Sequence, residues 1–141
     1  MSFKFIPYLM IDGNAKEAIE FYEKVFNAEV MGILTFGQMP PNPEFPLPEE
    51  AKDLVAHATI KVGEEELMFS DVLPGQPHQV GTQVTICVTP SNADQAHQIF
   101  ESLQDGGQVG IPLQETHFSP AYGSVTDKFG VTFQIYTEGK H

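Results

Sequence analysis

Apolar positions along this chain recur in two rhythms, strand-like and helical, and the order of those rhythms repeats once. The first stretch, Phe3 to Ile11, is apolar and strand-length, and it stops at the turn signal Asp12-Gly13. The spacing then changes: Ala18, Ile19, Tyr22, Val25 and Phe26 recur at helical intervals, while Lys16, Glu20, Glu23 and Lys24 mark the wet side. Asn14 with Glu17 three residues on is a variant of the capping box, so the spacing predicts a helix from that point. Glu29 to Phe36 reads as a strand. Five prolines between Pro40 and Pro48 then exclude both helix interior and central strand, which leaves an extended loop. Val55 to Val62 and Glu66 to Ser70 read as a hairpin around Gly63-Glu64, and Asp71 opens a loop through Leu73-Pro74-Gly75-Gln76-Pro77.

The second half repeats the plan. A strand from Gln83 to Val88 breaks at Pro90, and Ser91 or Asn92 caps a helix to about Gln104 whose buried stripe is Ala96, Ile99, Phe100 and Leu103. Gly106-Gly107 ends it with residues that tolerate positive φ. Three strands follow, near Val109–Pro112, Ala121–Thr126 and Val131–Tyr136. Each half thus reads β-α-β-β-β. Ala18, Phe21, Tyr22, Glu23 and Val25 also fall on Ala96, Ile99, Phe100, Glu101 and Leu103 at one constant offset. The fold class expected is α+β, a single domain over 1–141 made of two modules, about 3–72 and 80–137.

Length and composition agree with that plan. At 141 residues, 41% hydrophobic and with eleven Phe, the chain can bury a core without staples. Seven Lys+Arg against 19 Asp+Glu give a net charge of −12. Such a field repels phosphate backbones and anionic lipid, so neither nucleic acid nor a membrane surface is expected as a partner. The single cysteine, Cys87, lies in an apolar run where a thiol acts as a small hydrophobe, and it has no internal disulfide partner. No apolar span of membrane-crossing length occurs, and Met1-Ser2-Phe3-Lys4 lacks a signal-peptide core, so a cytoplasmic location is expected. No P-loop, dinucleotide-binding glycine motif, nucleophile elbow or Cys-x-x-Cys is present.

A set of short motifs narrows the expectation: Pro7-Tyr8-Leu9; Gly13-Asn14 with Glu17-Ala18 and Phe21-Tyr22; His57-Ala58; Leu67-Met68-Phe69-Ser70-Asp71; Gly106-Gly107-Gln108-Val109 with Pro112-Leu113; and Thr126-Asp127-Lys128-Phe129-Gly130. Together with the doubled β-α-β-β-β order, they resemble the PhnB-like branch of the vicinal oxygen chelate superfamily, which includes glyoxalase I, bleomycin-resistance proteins and extradiol dioxygenases. Members of that branch are also labelled 3-demethylubiquinone-9 3-methyltransferase-like. The resemblance runs from about Phe5 to Tyr136. It implies two incomplete barrels with a small-molecule pocket, frequent homodimerisation and, in metal-dependent members, four ligands on the first and last strands of each module. Carried over, those ligand positions fall on or near Pro7, Met68 or Phe69, Gln83 and Gln134. Proline, methionine and phenylalanine offer no hard-metal ligand, and an amide oxygen is a poor one without carboxylate or imidazole company. No metal or other cofactor is therefore expected. A methyltransferase using S-adenosylmethionine ordinarily has a doubly wound sheet, which this strand order does not provide.

What remains is a pocket lined by aromatic and neutral polar side chains, with Tyr8, His57, Phe69, Gln83, Phe118, Tyr122 and Gln134 as its expected ligand-binding residues. Phe36 and Phe133 are further candidates for its wall. The expected function is small-molecule binding. The alternative is a lyase, isomerase or dioxygenase with a rearranged divalent-metal site that uses His57 and either His117 or Glu115. His57 can act as a base or a ligand-orienting donor if its strand turns it inward, and solvent-facing alternation leaves it a packing residue. His117 sits beside Phe118 in the loop 116–123, where the resemblance implies an aromatic near the pocket mouth. His78, His97 and His141 lack the spacing of a helical metal site. Asp127 in its Asp-x-x-Gly turn suits a backbone hydrogen bond, and Asp71 either caps a loop or faces the pocket.

Overall fold

Helical spacing and strand alternation translate into two sets of elements of the same kind. The computed structural model describes residues 2–44 and 46–139, and the chain divides into two units, Met1–His78 and Gln79–His141. Phe45, within the proline-rich loop, and Met1 and His141 lie outside the described residues.

The first unit contains β1 (Tyr8–Ile11), α1 (Ala15–Phe26), β2 (Glu29–Thr35), β3 (Val55–Val62) and β4 (Glu65–Asp71). Its sheet has the order β1-β4-β3-β2, with β1 parallel to β4 and the other neighbours antiparallel. The second contains β5 (Ile86–Val88), α2 (Ala93–Gln104), β6 (Gln108–Gln114), β7 (Tyr122–Thr126) and β8 (Thr132–Tyr136). Its order, β5-β8-β7-β6, is the same with β5 parallel to β8. The chain is therefore α+β, two β-α-β-β-β modules with a four-stranded mixed sheet in each.

In both units the helix covers one face of the sheet. Ala15, Ala18, Ile19 and Tyr22 are buried on α1, as are Ala58, Ile60, Leu67 and Phe69 on the strands. Tyr22 stacks on Phe69 with ring centroids 5.7 Å apart. In the second unit Ala96, Ile99, Phe100 and Leu103 of α2 are buried along with Val125, Phe133 and Ile135. This burial fixes the faces: residues alternating with these on each strand lie on the open side.

Several sequence expectations need correction. The first strand is only Tyr8–Ile11, because it is an edge strand whose one neighbour is β4, and Pro7 has no N–H to continue the ladder. Gln83 likewise precedes the short edge strand β5. Cys87 is exposed on that edge, although burial of its sulfur pushes the thiol pKa upward. Asn14 precedes α1 without making a side-chain cap. Asp71, buried at the end of β4, does that work instead: Oδ1 accepts from the Ala15 N–H at 2.9 Å and Oδ2 from the Val55 N–H at 2.8 Å. In the second helix Asn92 caps as expected, accepting from the Gln95 N–H at 2.8 Å. Of the two glycines after α2, Gly106 takes the positive φ of 76°, whereas Gly107 serves close approach. A Cβ there would run into the Thr126 carbonyl oxygen and lie 2.9 Å from Asp127 Cα.

One buried polar atom is left over. Thr137 is 1% exposed, and its Oγ1 has no hydrogen-bond partner among the described residues. Thr137→Val keeps the shape and removes the unsatisfied hydroxyl, so it should stabilise the protein by about 1 kcal/mol. A thermal unfolding midpoint that falls on this substitution would contradict that account.

Candidate functional site

Alternation along β3 turns His57 and Thr59 to the face opposite α1, since Ala58 and Ile60 are buried beneath the helix. The register sets a row on this open face: Tyr8, Met68, Thr59 and Gly32 lie side by side across β1, β4, β3 and β2. Leu34 stands opposite His57 in the next row. Tyr8 reaches over Met68 so that its hydroxyl lies 3.0 Å from His57 Nδ1, and the rings are 5.7 Å apart. The other ring nitrogen, Nε2, lies 3.3 Å from Thr59 Oγ1. Both nitrogens thus meet hydroxyls, which donate or accept as the tautomer requires, and the ring is fixed without a carboxylate.

Beside this trio lies an open cleft of about 340 Å³ lined by Met31, Gly32, Ile33, Leu34, His57 and Thr59. A Cβ at Gly32 would meet nothing within 4 Å, so the missing side chain is part of what keeps the cleft open. Met31, Ile33 and Leu34 make its lining apolar, and His57 and Thr59 supply the polar groups.

The open face of the second unit follows the same rule. Tyr122, Ser124 and Thr126 on β7 and Thr132, Gln134 and Tyr136 on β8 are all partly accessible, while the alternating Gly123, Val125, Phe133 and Ile135 are buried. The Tyr122 hydroxyl donates to Gln134 Oε1 at 2.6 Å, and Gln134 Nε2 donates to Thr85 Oγ1 at 3.0 Å. Phe118 packs edge-on to Tyr122 at 5.0 Å and stacks on Tyr136 at 5.8 Å. Thr116 Oγ1 holds the loop by accepting from the Phe118 N–H at 3.3 Å.

The expected site residues sort by face. Tyr8 and His57 come together on the open side of the first unit; Phe118, Tyr122 and Gln134 come together on that of the second. Phe69 and Phe133, expected on a pocket wall, are fully buried in the cores. Phe36 lies in a short turn of helix after β2. Gln83 is exposed ahead of β5, and His97 and His117 are exposed. His78 Nε2 lies 3.0 Å from the Met10 carbonyl oxygen. Asp127 ties its turn, accepting from the Phe129 and Val131 N–H groups at 2.9 and 3.1 Å. Gly32, Thr59, Thr85 and Ser124 were not singled out by sequence. Thr59 and Ser124 had a usable signal, since each lies two places along its strand from a chosen residue, His57 or Tyr122, and so shares its face; Thr85 and Gly32 had none.

The ligand positions of metal-dependent relatives do not suit a hard divalent cation here. The Pro7 carbonyl accepts from the Met68 N–H at 3.0 Å, Met68 offers a thioether, Phe69 is buried, and the Gln134 amide is held at both ends. Among the described residues no three His, Cys, Asp or Glu side chains are grouped as a metal ion would need, and this covers His57, His117 and Glu115.

Comparison with known proteins adds the family. The family model described as 3-demethylubiquinone-9 3-methyltransferase matches residues 3–136. The chain belongs to this family, the PhnB-like branch. It is 30% identical to protein YjdN of Escherichia coli strain K12 over 139 residues, covering 92% of this chain and 91% of that one. A crystal structure of protein PA1353 from Pseudomonas aeruginosa is 31% identical with a TM-score of 0.88, covering 99% and 100% of the two chains. The PhnB protein from Bacillus cereus is 26% identical with a TM-score of 0.79, covering 96% and 100%. The architecture, two four-stranded mixed sheets each with one helix, is the glyoxalase/bleomycin-resistance fold. Its two separate four-stranded sheets are not the doubly wound sheet of an S-adenosylmethionine enzyme. No helix among the described residues is long and apolar enough to cross a membrane.

Proposed function

We propose that this PhnB-like chain binds a small, uncharged, partly apolar molecule on the open side of its sheets, holding it with side-chain hydrogen bonds instead of a metal ion, and that it works as a homodimer. The observation that carries the reading is His57 fixed between the Tyr8 and Thr59 hydroxyls at the edge of an apolar cleft of about 340 Å³. Concave apolar surface with a few oriented polar groups is the usual composition of a small-molecule site. Exposed apolar side chains such as Phe3, Phe5 and Met31, at 73%, 91% and 56% accessibility, support a second copy as a covering surface.

Binding can be followed with Nile red, a neutral dye that brightens on leaving water. Gly32→Leu projects a side chain into open space from a backbone any residue adopts, so the variant should fold normally yet lose dye binding. His57→Ala should weaken binding by about tenfold, the worth of one well-placed hydrogen bond and its contact area. Unchanged binding in both variants would remove the cleft from the account. Light scattering should give twice the 15.6 kDa chain mass; the single-chain mass would remove the dimer.

A further inference from the structure

Not one residue of β5, β6, β7 or β8 carries a charged side chain, in a chain with 7 Lys+Arg and 19 Asp+Glu. The strands of the first unit differ, with Glu29, Lys61, Glu65, Glu66 and Asp71 among them. A solvated sheet and its edges ordinarily carry charges, which keep other molecules off. The second unit's open face instead offers two rows of neutral groups. One is Cys87, Gln134, Ser124 and Ile111, and the next holds Tyr136, Tyr122 and Gln114.

The polar groups on this face are oriented but not exhausted. Gln134 Nε2 gives one N–H to Thr85 and has a second to give. Ser124 Oγ accepts from the Ile111 N–H at 3.0 Å, so its own O–H has no acceptor among the described residues. Two spare donors on paired residues of β7 and β8 call for an acceptor oxygen. Phe118, 53% exposed and braced against Tyr122 and Tyr136, supplies a flat apolar surface next to them. A carboxylate or phosphate would find no cation on these strands, and the chain has no arginine at all. An ammonium would find no carboxylate on them either, and its desolvation would go uncompensated.

Building on the binding reading above, we propose that the open face of β5–β8 recognises an uncharged aromatic ring bearing a carbonyl oxygen. The ring lies against Phe118, and the carbonyl accepts from Gln134 Nε2 and Ser124 Oγ. Second copies of the chain are the competing occupant.

The test uses the full chain and three probes of one shape: 2-acetylnaphthalene, the 2-naphthoate anion and the 2-naphthylmethylammonium cation. Binding is read from the Gln134 side-chain amide resonance and from the rate at which a neutral maleimide labels Cys87, which lies beside Gln134 in the register. The ketone should bind at least about tenfold more tightly than either ion and slow the labelling of Cys87. Phe118→Ala and Gln134→Leu should each weaken it severalfold. Equal binding of the ions, or indifference to both substitutions, would overturn the proposal. So would a Phe118→Ala variant that halves the mass in solution, since the face would then be a contact between copies. If Nile red binds but the ketone does not, this inference falls and the broader binding reading stands. If neither molecule binds, both fall.

Discussion

Asp71→Ala should destabilise the protein by about 3–5 kcal/mol, because it leaves two buried N–H donors without acceptors at about 1–3 kcal/mol each and removes a charge-assisted bond at a helix start. The carboxylate is 3% exposed and spans three elements, joining the first residue of α1, the first of β3 and the last of β4. That position explains why Asn14 is not the cap. An anion already sits on the end of the helix, favoured by the first-turn N–H groups, which have no partner within the helix, and by the helix dipole. Asp71→Asn keeps the shape and one acceptor oxygen, so its cost should be smaller, about 1–2 kcal/mol. Urea unfolding at constant slope separates the three proteins by midpoint. An Asp71→Ala midpoint equal to that of the unaltered chain would refute the clamp.

Phe69→Ala should cost about 3–5 kcal/mol, the range for deleting a buried aromatic ring. The ring is fully buried and stacked on Tyr22 of α1. This result bears on function as well as stability, since Phe69 is a residue that family resemblance alone places on the pocket wall. A wall residue cut to alanine would lose ligand and leave the fold near its original stability. A core residue does the reverse: in conditions where the variant is still folded, Nile red should bind as before. Measuring both quantities on one sample decides which side of the sheet the ring occupies.

The contrast between Phe69 and its neighbour Met68 marks how far sequence can be read. Period-two alternation says that the two residues face opposite ways, but not which of them faces the helix. That choice depends on the side α1 packs against, a tertiary fact. The helices themselves were legible, because Ala18, Ile19 and Tyr22, and Ala96, Ile99, Phe100 and Leu103, carry the 3.6-residue period clearly. Val55–Val62 was legible at both ends, being a central strand with a turn glycine after it. The edge strands β1 and β5 were read too long, since apolar composition continues past the point where a hydrogen-bonding neighbour ends. The site contacts were the least legible. Tyr8 meets His57, and Thr85 meets Gln134, each across 49 positions, and no local spacing encodes such a meeting. That Pro7, Met68 and Phe69 carry no hard-metal side-chain ligand is a matter of residue identity and needed no structure. The charge-free open face was not, because it emerges only when strands are laid side by side.

Elemental analysis of the protein purified without chelator, combined with Nile red titration of the same sample, tests whether the chain binds its ligand without metal. The prediction is a chain that takes up dye at a fixed stoichiometry while carrying no stoichiometric divalent metal, with dye binding unaffected by chelator. One divalent metal ion per chain, lost in His57→Ala together with dye binding, would contradict it.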